Sequence, residues 1–154
     1  MFNLKLEIMI RIVTLAVVYL ITLVAEAQTS TEINRDITES ISITVNVPNV
    51  TSDKGTVQFG LHTKETFGKK PLETKIVKIV NGKCEVVFQD IQSGEYAIMC
   101  FHDTNENGKM DFNESHMPLE DYGVSNNPTL MGPPTFDIAK FIVENKSLDL
   151  TLKF

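Results

Sequence analysis

The sequence predicts an all-β domain, an antiparallel β-sandwich of about seven strands, on three observations. Short apolar segments alternate with polar residues at period two, turn residues punctuate them, and no segment beyond residue 27 sustains a helical period. In the first strand Ile41, Ile43, Val45 and Val47 alternate with Ser42, Thr44 and Asn46. Pro48 ends the run, because it has no N–H for the ladder. A turn rich in Asn, Ser, Asp and Gly leads into strand 56–62. Residues 63–73 carry Lys, Gly and Pro and form a surface loop. Strands 75–80 and 84–89 flank Asn81-Gly82, a hairpin signal because both residues tolerate positive φ. Strand 96–102 follows a short loop, and strands 140–144 and 148–154 close the chain around Asn145-Lys146. Immunoglobulin-like and transthyretin-like sandwiches both suit this pattern, with a closed barrel as the alternative.

Residues 1–27 have the parts of a signal peptide, with a helical apolar core. Lys5 and Arg11 form a basic start, residues 12–24 are almost unbroken apolar sequence, and Ala25-Glu26-Ala27 offers small residues for cleavage before Gln28. The apolar run is short for a membrane span, and no cysteine follows it to carry a lipid. An uncleaved anchor is the alternative. Residues 28–39 are polar and predict a disordered leader, so the folded domain is expected at 40–154. The expected location is secreted or periplasmic. Cleavage would remove two basic and two acidic residues and leave the net charge at −6. That balance argues against nucleic acid or an anionic membrane surface as partner, and no later stretch is apolar enough to enter a bilayer.

The long insertion 103–139 is where chemistry is expected, since a structureless stretch of this length inside a small domain usually serves a function. It opens D-T-N-E-N-G-K-M-D-F-N-E. Set against a twelve-residue calcium loop, Asp103, Asn105 and Asn107 take the first, third and fifth places. Gly108 takes the sixth, where the chain turns sharply; Lys109 offers its carbonyl from the seventh. Asp111 takes the ninth place and Glu114 the twelfth, where a bidentate carboxylate completes the shell. Carboxylates and amides without Cys or His suit calcium better than zinc. The bland alternative is an ordinary turn, for which Asp, Asn and Gly are also the usual residues. The expected role of the ion is structural.

F-Q-D-I-Q-S-G-E-Y-A-I-M-C-F-H-D-T-N-E-N-G-K-M-D at 88–111, P-L-E-D-Y-G-V-S-N-N at 118–127 and G-P-P-T-F-D-I-A-K-F at 132–141 resemble a bacterial secreted family, domain-of-unknown-function family 2141. The resemblance runs from about Ile43 to the C-terminus. It implies a β-sandwich exported by Gram-negative bacteria, with no assigned activity. The firm part of the family pattern ends at Asp111, so the resemblance leaves the twelfth ligand open to Glu120 or Asp121. Phe88, Asp90, Gly94 and Tyr96 also resemble the turn of transthyretin-like and carboxypeptidase-regulatory-like sandwiches, a folding motif.

Other candidates are weaker. If Gln89 opposes Glu95, Cys84 lies across from Cys100, and both a disulfide and two buried thiols are open. Ser125 in G-V-S-N-N lacks the context of a nucleophile elbow and is expected to hydrogen-bond within its loop. His62, His102 and His116 share no metal-ligand spacing. Glu120, Asp121 and Asp137 are the acids that a glycoside hydrolase would need to pair. The sequence thus favours an exported, non-enzymatic accessory or binding module. Tyr122, Asn126, Asn127 and Phe136 would face a glycan, a peptide or an envelope protein. An envelope hydrolase and a purely structural protein are the alternatives.

Overall fold

The computed structural model describes residues 40–154, so the signal peptide expected at 1–27 and the leader expected at 28–39 lie outside the described residues. Strand β1 (Ile43–Val47) follows the period-two pattern, with Ile43, Val45 and Val47 wholly buried. It is flanked by β4 (Cys84–Phe88) and β8 (Leu148–Thr151) in a three-stranded sheet. The five-stranded sheet runs β3 (Glu73–Lys78), β2 (Thr56–His62), β5 (Gly94–Asp103), β6 (Tyr122–Val124), with β7 (Phe141–Val143) paired to the start of β5. One short helix, α1 (Phe136–Ala139), is described. No helix among the described residues is long and apolar enough to cross a membrane.

Both sheets feed one apolar cluster, which fits a β-sandwich. Val45, Val86 and Phe88 enter it from the smaller sheet, and Val57, Phe59, Leu61, Ile98 and Cys100 from the larger. Burying a side chain of this size contributes about 1.5–3 kcal/mol, so this shared face is the main source of stability. A second cluster lies on the other face of β5, where Ala97 meets Val124, Phe136 and Ala139. Strand β2 is consequently buried on both faces, from Val57 through His62.

The pairing differs from the sequence reading in three ways. Asn81 and Gly82 form the expected turn, with φ of 54° and 70°, and Val80 and Lys83 exchange backbone hydrogen bonds at 2.9 and 3.2 Å. The Asp53 carboxylate holds this turn by accepting both central N–H groups. Beyond that single rung β3 and β4 part into different sheets. Strands β4 and β5 are likewise not a hairpin, so Cys84 is not the cross-strand neighbour of Cys100. Cys84 pairs with Val47 and Cys100 with Phe59, and both thiols are free and buried. Finally, β8 does not fold back on β7. It runs parallel to β1, where Leu148 and Leu150 stand beside Ile43 and Val45. The expectation of a wholly antiparallel sheet fails there, because β7 is paired to β5 in the other sheet and β8 takes the edge of β1 instead.

Candidate functional site

The acidic loop is anchored at the last residue of β5. Asp103 pairs with Thr56 and Phe101 with Gln58, so Asp103 and Gln58 are diagonal neighbours on one face of the sheet. The Gln58 amide donates to Asp103 Oδ2 at 2.8 Å. The backbone N–H groups of Asn107 and Gly108 then curl back onto the same carboxylate, at 3.0 Å to Oδ1 and 2.8 Å to Oδ2. Asp103 is 1% exposed, and these three donors satisfy it.

The loop can close this tightly because of its turn residues. Glu106 and Gly108 adopt left-handed φ of 57° and 80°. Asn105 Oδ1 accepts the N–H of Asn107 and Asn107 Oδ1 that of Lys109, two Asx turns in series. Both amide nitrogens donate to a single oxygen, Asp111 Oδ2, at 2.7 and 2.9 Å. Glu120, itself buried, ties the two ends together: Oε1 accepts Thr104 N–H at 3.1 Å and Oε2 accepts Asp111 N–H at 3.2 Å. Gly55, at φ +79°, packs beneath the loop, where a Cβ would stand 2.1 Å from the Asp103 carbonyl oxygen.

The structure therefore brings together Asp103, Asn105, Asn107 and Asp111 in one hydrogen-bonded group, with Lys109 joined through its N–H. Glu114 is exposed and takes no part in these bonds. The sequence offers Glu120 as a substitute ligand and as one of three acids that a hydrolase would pair. Here its carboxylate clamps the loop backbone, a role no local spacing signals, since its partner Thr104 is sixteen residues away. Among the described residues no three His, Cys, Asp or Glu side chains converge as a metal shell. Any shell here would combine the Asp103 and Asp111 carboxylates with amide and carbonyl oxygens. That donor chemistry fits a hard cation. The two amide N–H groups on Asp111 supply the positive partial charge that a cation would otherwise bring.

The remaining candidates are internally engaged. Ser125 is wholly buried; its hydroxyl accepts Ile98 N–H at 2.9 Å and donates to the Ala139 carbonyl at 2.6 Å. Asn126 donates to the Ile138 and Lys140 carbonyls. Asn127 donates to Thr151 O and accepts Lys153 N–H, and Phe136 is buried in the second cluster. For Phe136 the expectation of a ligand-facing side chain is corrected, since the core holds it; Asn126 and Asn127 stay exposed, with their side-chain amides held by backbone groups. Tyr122 is half-buried. Asp121 accepts the Thr51 hydroxyl, while Asp137 lies 4.0 Å from Lys140, so Glu120, Asp121 and Asp137 serve separate partners. His62 Nδ1 lies 3.0 Å from Thr66 O, and burial holds its pKa below the ordinary value. His102 Nε2 donates to the Lys54 carbonyl at 2.7 Å, and its ring stacks on Phe154.

The family model described as "Uncharacterized protein conserved in bacteria (DUF2141)" matches residues 45–151, from within β1 to the end of β8. No curated protein and no solved structure matches the chain.

Proposed function

Because the chain belongs to the DUF2141 family of uncharacterized bacterial proteins, we propose that it is an exported, non-enzymatic accessory or binding module whose acidic loop is stiffened by calcium. The sandwich is of immunoglobulin-like or transthyretin-like type in this reading. Export rests on the signal-like sequence at 1–27. The calcium reading rests on one observation: the buried Asp103 carboxylate gathers a loop in which Asn105, Asn107 and Asp111 converge. With two carboxylates in the group, affinity falls in the weak range of extracellular modules, Kd on the order of 10⁻⁴–10⁻³ M. The ion would hold the loop against the outer face of the five-stranded sheet and fix the surface that a glycan, peptide or envelope protein meets.

A purely structural reading is favoured by the saturation of Asp111 Oδ2, since two amides already close the loop without an ion. Calorimetric titration separates the two. Calcium binding at one site, weakened at least about tenfold in Asp111→Asn, supports the module with a metal loop. No heat of binding at 10 mM calcium, roughly ten times the weakest expected Kd, supports the structural reading.

A further inference from the structure

We infer that a second, chemically distinct site lies beside the acidic loop: a methionine-lined groove that takes a soft monovalent cation, Cu(I) or its analogue Ag(I). The chain has six methionines, and the four beyond residue 27, Met99, Met110, Met117 and Met131, all line one groove of about 570 Å³. His116 and Tyr122 line it as well. None of the four belongs to either buried apolar cluster among the described residues, where Val, Ile, Leu and Phe do the packing. Methionine used as a gap-filler would be found there. Instead Met117 is 61% and Met131 99% exposed, so their thioethers are open to a ligand from solvent.

The groove is built on secure supports. Met99 projects from β5 on the same face as Asp103, and Met110 sits between Lys109 and Asp111 of the acidic loop. Met117 and His116 are adjacent on a turn folded around Asn113, whose side-chain oxygen accepts the N–H groups of Ser115 and Met117. The Asn113 carbonyl accepts His116 N–H at 2.9 Å, and His116 holds a left-handed φ of 58°. The exposed imidazole makes no side-chain hydrogen bond among the described residues. Thioether and imidazole donors select Cu(I) over hard cations. The site therefore does not rest on the calcium reading, whose donors are oxygens.

The test is Cu(I) titration of the protein under anaerobic, reducing conditions against a chromophoric Cu(I) chelator, with 10 mM calcium present throughout. Ag(I)-induced shifts of the methionine methyl carbon resonances give the second readout. The inference expects one bound Cu(I), shifts at the groove methionines, and weaker binding when all four are changed to Leu. That loss should be at least the roughly 10–100-fold that losing even an outer-shell partner costs. Leucine keeps an apolar side chain of similar volume and removes the sulfur donor, and both buried cysteines are retained. The double variant Met117→Leu/Met131→Leu changes only exposed side chains and must weaken binding in the same direction. Equal Cu(I) affinity in either variant and wild type, or surrender of all the metal to the chelator by wild type, overturns the inference.

Discussion

Replacing Asp103 with alanine probes the residue on which the loop turns. The change removes the acceptor for Gln58 Nε2 and for the N–H groups of Asn107 and Gly108. Gln58 is 8% exposed, so its amide is stranded away from water. A buried donor left without a partner costs about 1–3 kcal/mol. Residues 107 and 108 are exposed, so water replaces much of what they lose, at about 0.5–1 kcal/mol each. The total is about 3 kcal/mol, equivalent to a fall in Tm of about 12 °C for a domain of this size. The assay is urea and thermal unfolding in chelator, which removes any contribution from bound metal. A loss below about 1 kcal/mol with an unchanged denaturant slope would refute the keystone role of Asp103.

Four further outcomes follow from other parts of the fold. Gly55→Ala forces a Cβ to 2.1 Å from the Asp103 carbonyl oxygen at positive φ, and unfolding should show a loss of at least about 2 kcal/mol; wild-type stability would contradict that packing. Ser125→Ala strands Ile98 N–H in the core and should lower stability by about 1–3 kcal/mol, measured by urea unfolding. Burial pushes the Cys84 thiol up to about 11 and Cys100 further, so the unfolded chain releases their protons first. Stability should then fall above pH 9, by up to about 1.4 kcal/mol per pH unit per thiol, and Cys84→Ala should flatten part of that slope in pH-resolved urea titrations. His62 is held below its ordinary value, so the unfolded state takes up its proton first and stability is lost as pH falls below about 6.5; His62→Gln should remove that part of the acid limb.

The alternation of small apolar and polar residues located β1, β2, β4 and β5 to within a few residues, because those strands each bury one regular face in the shared core. It could not show which strands pair. Turn signals suggest that chain neighbours are sheet neighbours, yet the connections at Asn81-Gly82 and at 89–93 carry the chain from one sheet to the other. Strand β6 and helix α1 leave no signal in the sequence because each is too short to display a period, and Gly123 interrupts the first. At the candidate site, the convergence of Asp103, Asn105, Asn107 and Asp111 was readable because a tight turn aims alternate residues inward. Gln58 and Glu120 were not readable as partners. They reach the loop through sheet register and chain return, which only the folded chain displays. The same holds for Asn126 and Asn127, whose exposed, polar sequence context suggested a free surface while their amides are held by backbone carbonyls.

The calcium loop is tested most directly by a crystal structure of the protein grown in 10 mM calcium. Anomalous density is expected at 2.3–2.6 Å from oxygens of Asp103, Asn105, Asn107 and Asp111 and from the Lys109 carbonyl, the usual span for this ion. The two amide N–H donors would have turned away from Asp111. A loop that keeps both amides on Asp111 Oδ2, with no density at its centre, would contradict the calcium reading.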